Sequence, residues 1–271
     1  MNSDADAPQL TRAMQRLVRS LADVKGRRKA GLFVAEGDKC VRDTLGAFSL
    51  HSLYATPAWL ERGAALLHPG AQVIPVGRAG MAELTSLSLQ PDVMAVYALP
   101  EPAELPEHPG STLMLALDRV QDPGNLGTII RTADWMGLDT ILASRDTVDC
   151  FNPKCIQSTM GAIARVRVVY CDLPDVLTRA DGPVFGTYLD GENIYTAALP
   201  PRGILVMGNE GRGIGPEVTA AVTRRLLIPS YPPGRPTSES LNVATATAIA
   251  LSQFRARAFT THSTPAAHGQ D

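Results

Sequence analysis

The sequence predicts an α/β protein built from two domains. Short apolar runs alternate with segments of helical periodicity along most of the chain, which is typical of strands joined by helices. A proline-rich stretch, residues 100–111, interrupts this alternation and has the composition of a semi-rigid, extended linker. With 271 residues, the chain is long enough for each domain to bury its own core.

Composition and charge limit the classes of function. The formal net charge of -2 gives no global basic signal, so any contact with nucleic acid must come from a local patch. The first residues form no basic and apolar leader, and no long uninterrupted apolar run follows, so we expect a cytoplasmic protein without membrane contact. The four cysteines lack metal-ligand spacing, which predicts reduced, mostly buried thiols and no metal site.

After a polar tail, residues 1–9, the chain begins with an amphipathic helix. Leu10, Met14, Leu17, Val18 and Leu21 fall at the spacing of one apolar stripe. Residues 12–29 also hold the densest positive run in the chain, with Asp23 as the acid among them. A solvated helix face followed by a turn and a phosphate-binding surface both explain this run. The basic residues are Arg12, Arg16, Arg19, Lys25, Arg27, Arg28 and Lys29.

Residues 10–99 are predicted to form a small α/β domain with a largely parallel sheet, because its strands and helices alternate. The predicted strands are 32–35, 52–55, 73–76 and 93–98. The predicted helices are 39–47, 58–67 and 81–87.

The alternation resumes beyond the linker and predicts a doubly wound domain, residues 112–259, with about six parallel strands. An unfolded polar tail, residues 260–271, is expected to follow. The predicted strands are 113–117, 140–143, 166–170, 184–189, 204–207 and 226–228. The predicted helices are 126–135, 154–164, 175–180 and one that begins within 240–243.

A glycine cluster, residues 208–215, follows the strand 204–207 and is typical of a ligand crevice, because glycine lets backbone groups approach a ligand closely. The cluster is not a P-loop, since Pro216 and Glu217 replace the required Lys-Ser/Thr pair. Its spacing also fails the dinucleotide fingerprint, which needs G-x-G-x-x-G after the first strand of its unit. The glycines of ordinary Rossmann-like methyltransferases stand in another register and near the start of the domain.

Three blocks together resemble the SpoU/TrmH class of RNA ribose 2′-O-methyltransferases in the SPOUT superfamily. Residues 118–127 (DRVQDPGNLG) with Arg131 are similar to its first motif. Residues 208–211 (GNEG) are similar to the second, and residues 228–229 (IP) with 240–243 (SLNV) to the third. The three blocks occur in the family's order. Lys25, Arg28, Phe33, Glu36 and Gly37 resemble, more loosely, the L30e-like RNA-binding domain of many members.

The resemblance implies a C-terminal α/β knot of SPOUT type, with a parallel sheet and a trefoil knot, preceded by a small L30e-like α/β domain. It also implies that S-adenosylmethionine binds in the knot and that the protein is a homodimer through its C-terminal domain. An adenosyl group is flat and largely apolar, which suits a slot of backbone groups and aliphatic side chains. For Ile228 and Leu241, plain core packing is the alternative. The implied cofactor-binding residues are Thr187, Met207, Gly208, Asn209, Gly211, Ile228 and Leu241.

The catalytic domain lacks the usual general bases. Residues 112–259 contain no histidine, and Lys154 is their one lysine. Methyl transfer from a sulfonium requires mainly an aligned nucleophile, so a weak base is sufficient. The resemblance assigns the activation of the ribose hydroxyl to Arg131. Since arginine is normally locked in its charged form, orientation and electrostatic activation come before deprotonation. Its neighbours Ile129, Ile130 and Ala133 predict partial burial.

The other implied catalytic residues have structural alternatives. Asn125 and Asn242 either hold active-site loops or touch the ribose. Ser240 either belongs to the site or caps the last helix. Glu210 anchors either Arg131 or an arginine of a partner subunit. Asp118 and Asp122 are as consistent with turns as with ligand contacts.

The resemblance implies an enzyme that methylates a ribose 2′-hydroxyl in structured rRNA or tRNA, with S-adenosylmethionine as cofactor and RNA bound by the basic run. The alternative is a non-catalytic RNA-binding factor for ribosome assembly with the same fold. The loop 230–239 is longer and richer in proline than is typical of the family and carries Arg235. It is expected to reshape the substrate entrance.

Overall fold

A computed structural model describes residues 9–236 and 238–261. Most of the two predicted tails therefore lies outside the described residues, although the last helix continues through Thr261. The chain forms two compact units that each draw on separate stretches of sequence. The first unit contains the chain up to Ala103 together with Asp122–Arg131 and Val148–Arg167. The second contains Glu104–Gln121, Thr132–Thr147 and the chain from Val168 onward.

The first unit starts with two helices, α1 (Arg12–Ser20) and α2 (Val24–Ala30). The Thr11 hydroxyl accepts a hydrogen bond from the Met14 amide at 3.2 Å and begins α1, as N-caps do. The predicted apolar stripe is confirmed, because Val18 and Leu21 belong to the core of this unit. The basic residues after α1 lie in a second helix, whereas the sequence predicted a turn there.

A four-stranded sheet forms the centre of the first unit, in the order β1-β4-β2-β3. Its strands are β1 (Leu32–Glu36), β2 (Leu50–Ala55), β3 (Val73–Pro75) and β4 (Val93–Ala98). Helices α3 (Asp38–Thr44), α4 (Pro57–Gly63) and α5 (Arg78–Leu84) connect them.

The prediction of a largely parallel N-terminal sheet is wrong. Strand β4 lies between β1 and β2 and is antiparallel to both, and only the pair β2–β3 is parallel among the described pairings. A helical crossover makes two strands run in the same direction, but it leaves room for a later strand to insert between them. The alternation of strands and helices in the sequence does not encode that insertion.

A six-stranded sheet forms the core of the second unit in the order β10-β8-β9-β5-β6-β7, and every pairing described for it is parallel. This confirms the predicted parallel α/β fold. The strands are β5 (Leu113–Leu117), β6 (Thr140–Ser144), β7 (Arg167–Cys171), β8 (Val184–Asn193), β9 (Gly203–Met207) and β10 (Arg224–Leu227). The helices along this part of the chain are α6 (Pro123–Trp135), α7 (Pro153–Thr159), α8 (Leu173–Thr178), α9 (Pro216–Ala221) and α10 (Val243–Thr261).

The predicted linker has no helix or strand, but its end is fixed to the second unit. The Asp181 amide donates to the Pro109 carbonyl at 2.8 Å. Gly110 is buried with a φ of 85°, in the left-handed region that favours glycine. The final residues of the linker are therefore a docked segment and not an extended spacer.

All four cysteines are free thiols and buried, as the sequence predicts. Burial raises the pKa of Cys40 to about 12 and that of Cys171 to about 11. Within the described ranges, no group of three acidic, histidine or cysteine side chains is placed to hold a metal ion. None of the helices in the same part of the chain has the length and apolar character to cross a bilayer.

Candidate active site

The second motif block forms a tight turn at the carboxyl end of β9. The Asn209 amide donates to the Gly213 carbonyl at 3.1 Å, and the Gly213 amide donates back at 2.9 Å. The Asn209 Oδ1 atom accepts from the amides of Gly211 and Arg212, each at 3.0 Å. A Cβ atom at Gly208 would lie 2.3 Å from the Gly213 carbonyl carbon, so only glycine fits this crossing of two backbones. The Asn209 side chain therefore stabilises this turn.

A buried network connects this turn to the ends of β5 and β6. Asp118 is 3% exposed, and its carboxylate accepts from the Gly215 amide at 2.6 Å and from its neighbour Arg119. Asn209 Nδ2 donates to the Arg119 carbonyl at 2.8 Å. The Arg119 amide donates to the Ser144 hydroxyl at 2.9 Å. Asp118 therefore fixes the loop, which answers the choice between a turn-former and a ligand that its sequence left open.

The sequence reasoning missed Arg119 and Ser144. Arg119 has a φ of 58°, which is unusual for a residue other than glycine. The one signal in the sequence was a charged Asp-Arg pair placed directly after a buried strand. With Asp172 and Gly215, these residues line a cavity of about 410 Å³ at the carboxyl ends of β5, β6 and β7. Neither Met207 nor Leu241 lines that cavity.

Thr187 and Met207 are neighbours on adjacent strands. The Thr187 hydroxyl lies 3.8 Å from the Met207 sulfur. At Thr187, strand β8 leaves its regular pairing with β10. The paired residues change there from Gly186 and Arg225 to Glu192 and Leu226. Met207 is 2% exposed and is the last residue of β9, at this edge of the sheet. Since ligands bind outside the carboxyl ends of parallel strands, this edge is a suitable place for a cofactor.

The third motif block continues from β10. Ile228 is half-buried, whereas Leu241 is 47% exposed, so the structure does not place Leu241 in the core. Between them lies the proline-rich loop 230–239, of which Thr237 is outside the described residues. Tyr231 in this loop is 90% exposed. The side chains of Leu241 and Tyr231 are therefore accessible and not part of the packed core.

The residue that caps the last helix is Asn242. Its Oδ1 atom accepts from the Ala244 amide at 3.0 Å and from the Thr245 amide at 3.2 Å. The alternative of Ser240 as the cap is therefore wrong, because Ser240 stands two residues before the cap and is exposed. Asparagine caps a helix as well as serine does, so the residue type alone did not distinguish the two.

Residues 122–127 of the first motif block belong to the first unit and form the start of α6. The Asp122 carboxylate accepts from the Asn125 amide at 2.9 Å and so caps this helix. Arg131 lies on α6 and is exposed, which contradicts the expected partial burial. Ile129 and Ile130 are buried, and the helical rotation between them and Arg131 turns its guanidinium to the other face. Glu210, in the second unit, is half-buried within the β9 turn.

The predicted RNA-binding residues fall into two groups. Arg27 is 1% exposed, and its guanidinium forms an ion pair with Asp149 at 2.6 Å. It also donates to the carbonyl oxygens of Leu21 and Ala22 at 2.9 and 3.1 Å. Arg27 is therefore committed to the protein interior and unavailable to an RNA phosphate. The exposed members of the run are Arg12, Arg16, Arg19, Lys25, Arg28 and Lys29.

Comparison with known families identifies the chain. Residues 112–252 match the SpoU rRNA Methylase family, and residues 16–95 match the MRM3-like substrate binding domain. The chain belongs to the SpoU rRNA methylase family. The three motif blocks of this SpoU member therefore lie inside the matched region. The exposed basic residues lie on α1 and α2, and all of them except Arg12 fall within the substrate-binding match. This confirms the family that the sequence motifs indicated.

Relatives of this SpoU member align along most of their length. This chain is 32% identical over 235 residues to the Bacillus subtilis 23S rRNA (guanosine(2553)-2′-O)-methyltransferase RlmP. The alignment covers 85% of this chain and 91% of RlmP. A TrmH-family protein from Porphyromonas gingivalis has 39% identity and a TM-score of 0.81, covering 92% of this chain and 100% of that one. An AdoMet-bound rRNA methyltransferase from Sinorhizobium meliloti has 30% identity and a TM-score of 0.79, covering 93% and 97%.

Proposed function

We propose that this protein transfers a methyl group from S-adenosylmethionine to a ribose 2′-hydroxyl in ribosomal RNA. The observation that carries the proposal is the alignment with RlmP over 85% of this chain. The SpoU match over residues 112–252, which contains all three motif blocks, and the substrate-binding match over residues 16–95 support it. A cytoplasmic location, with neither metal nor membrane, is part of the proposal. The trefoil knot implied by the resemblance is part of it as well. Transfer RNA is the second substrate class to be tested.

The residues at the ends of β8, β9 and β10 fit the proposed cofactor. Gly208 has no room for a side chain, so the backbone itself forms the wall there. Met207 and Thr187 supply a soft, largely apolar floor, and Ile228 and Leu241 supply accessible aliphatic surface. We assign Gly211 to the wall of the same pocket and Asn209 to holding the turn that forms it. When bound, S-adenosylmethionine supplies an electrophilic methyl group on its sulfonium sulfur.

We assign activation of the ribose hydroxyl to Arg131. Its guanidinium is exposed on α6, so it is accessible to RNA. Its positive charge orients the 2′-oxygen and stabilises the negative charge that develops on that oxygen as the hydroxyl proton passes to water. Asn242 holds the start of α10 through its side chain. We keep Asn125, in the first turn of α6, among the proposed catalytic residues. Glu210 and Ser240 are the remaining proposed catalytic residues.

We propose that the protein is a homodimer through its C-terminal domain. Trp135 at the end of α6 is 87% exposed. Beside it, the Arg255 guanidinium donates to the Met136 carbonyl at 2.9 Å and so attaches α10 to the end of α6. We expect a second copy to cover this exposed aromatic residue across an isologous interface. Sedimentation equilibrium measures the mass, and a monomer at micromolar concentration would contradict this assignment.

Replacing Arg131 with alanine tests the enzymatic proposal. Transfer of labelled methyl groups to rRNA should fall by at least about 100-fold, since a charged group that stabilises the transition state is lost. The affinity for S-adenosylmethionine, measured by calorimetry, should not change. Arg202→Ala is the matched control, because Arg202 is exposed at the opposite, amino end of β9 and should leave transfer intact.

Two outcomes would decide against the proposal in different ways. Unchanged turnover in Arg131→Ala would remove Arg131 from the mechanism. Cofactor binding by the wild-type protein, without methyl transfer to rRNA or tRNA, would favour the non-catalytic RNA-binding factor. Mapping ribose methylation in RNA from cells with and without the protein identifies the target nucleotide.

A further inference from the structure

The boundary of the first compact unit does not follow the domain boundary in the sequence. This unit contains the substrate-binding match and also Asp122–Arg131 and Val148–Arg167, which belong to the SpoU-matched region. Asn125 and Arg131 therefore belong to the same compact body as the RNA-binding helices. Contacts of α7 and of the residues that lead into it contribute to this arrangement.

Side chains of the substrate-binding domain hold α7 firmly. Arg27 forms its ion pair with Asp149, whose Oδ1 atom accepts from the Phe151 amide at 2.9 Å in the turn before α7. The Phe33 and Phe151 rings lie 4.7 Å apart between centroids. The position of α7 is thus set by a buried ion pair and by aromatic packing against β1.

Helix α7 in turn holds the start of α6. A Cβ atom at Gly127 would lie 2.4 Å from the Cys155 carbonyl oxygen and 2.5 Å from Ser158 Cβ, so the two helices are in direct contact at this glycine. One turn earlier, Lys154 Nζ lies 2.8 Å from Asp122 Oδ2. Lys154 is the one lysine within residues 112–259.

The partner of Lys154 is the cap of α6. Asp122 accepts from Lys154 with one oxygen and from the Asn125 amide with the other. These two hydrogen bonds, led by that of Lys154, keep the pKa of Asp122 below its usual value. The carboxylate therefore stays ionised and holds both groups at neutral pH. Its geometry fixes where α6 begins, and hence the direction in which the helix presents Asn125 and Arg131.

We propose that Lys154 is a positioning residue that aligns the catalytic helix α6 with the body that binds RNA. Lys154 connects α7, which the substrate-binding domain holds, to Asp122, which starts α6. The basic helices and the arginine that activates the ribose then belong to one compact unit. This inference rests on the proposed function, because it takes Arg131 as the catalytic arginine.

Thermal stability and catalytic rate together distinguish a positioning role of Lys154 from a purely structural one. The Lys154 side chain is 63% exposed and that of Asp122 is 44% exposed, and exposed ion pairs contribute little to stability. Loss of the pair should therefore shift the melting temperature by no more than about 2 °C. Misalignment of a catalytic group by about 1 Å costs up to about 100-fold in rate. Activity should consequently change far more than stability.

The test compares Lys154→Met with Lys154→Arg and with Lys39→Met as a matched control. Lys39 lies in the same unit, is also 63% exposed and forms an ion pair with Asp43 at 2.7 Å. In Lys154→Met we expect kcat for rRNA methylation to fall about 10- to 100-fold, with KM for RNA and cofactor affinity unchanged. Lys154→Arg should recover most of kcat, and Lys39→Met should match the wild type.

The outcomes separate this inference from the proposed function. If Arg131→Ala is inactive and Lys154→Met keeps kcat within about two-fold, the positioning role is wrong and the proposed function stands. If Lys154→Met raises KM for RNA at constant kcat, Lys154 contacts RNA and the inference is overturned. An equal loss in Lys39→Met would also overturn it. An active Arg131→Ala would instead refute the catalytic assignment on which the inference depends.

Discussion

Arg27 and Arg28 are adjacent in the sequence, but their replacement by methionine should affect two different properties, stability and RNA affinity. Arg27 is 1% exposed, and its guanidinium donates hydrogen bonds to Asp149 and to two backbone carbonyl groups. Arg28 is exposed on the same helix. Arg27→Met should therefore lower the free energy of unfolding, whereas Arg28→Met should lower the affinity for RNA.

The size of the stability effect follows from burial. Breaking a buried ion pair by removing one partner costs about 3–5 kcal/mol. The Asp149 side chain is 29% exposed, so water reaches the carboxylate that remains and the lower end, about 3 kcal/mol, applies. Such a loss corresponds to a decrease in melting temperature of about 6–12 °C for a protein of this size. Arg28→Met should stay within about 0.5 kcal/mol of the wild type.

Urea denaturation followed by circular dichroism measures the first effect, and titration of labelled rRNA at several salt concentrations measures the second. Arg28→Met should reduce the slope of log affinity against log salt concentration by about one phosphate contact, and Arg27→Met should keep the wild-type slope. Equal stability of the two variants, or loss of the salt slope in Arg27→Met alone, would refute the assignment of Arg27 to the interior.

Two further predictions concern a cap and a buried acid. Asn242→Ala should lower the free energy of unfolding by about 1 kcal/mol. Asn242→Asp should keep the cap, so a loss of methyl transfer in the folded Asp variant would indicate a contact with the ribose or the cofactor. Burial raises the pKa of Glu36 from 4.5, so the folded state keeps a proton that the unfolded chain releases and stability falls as the pH rises from about 4.5 through the raised pKa. Glu36→Gln should remove that decrease in urea titrations between about pH 4 and 8, and an unchanged pH slope would contradict the assignment.

Local pattern was sufficient for most elements of the second unit. The strand Leu113–Leu117 has the predicted limits, and the helix that carries Arg131 ends at the predicted Trp135. Helix α9 was missed, because Pro216–Ala221 is a short element after a glycine cluster that reads as loop. A buried parallel strand and a long helix are determined by periodicity and by their flanking turn residues, which are local properties.

The candidate site was predictable only as a set of positions. The motifs indicated Asn209, Asn242 and Asp122, but not that each side chain organises a turn or a helix start. These roles depend on which backbone amides come within reach after folding. Arg131 is likewise exposed because α6 buries a different face, which carries Ile129 and Ile130.

The sequence by itself determined the family, through the resemblance of three motif blocks in a fixed order. It also determined the α/β class, because alternating strands and helices are visible as local periodicity. Only the tertiary structure decided that Arg27 faces the interior, since its partner Asp149 is 122 residues away. It also decided that β4 inserts antiparallel between β1 and β2. The physical reason is the same in each case: burial and pairing are set by groups that are distant along the chain and meet only when it folds.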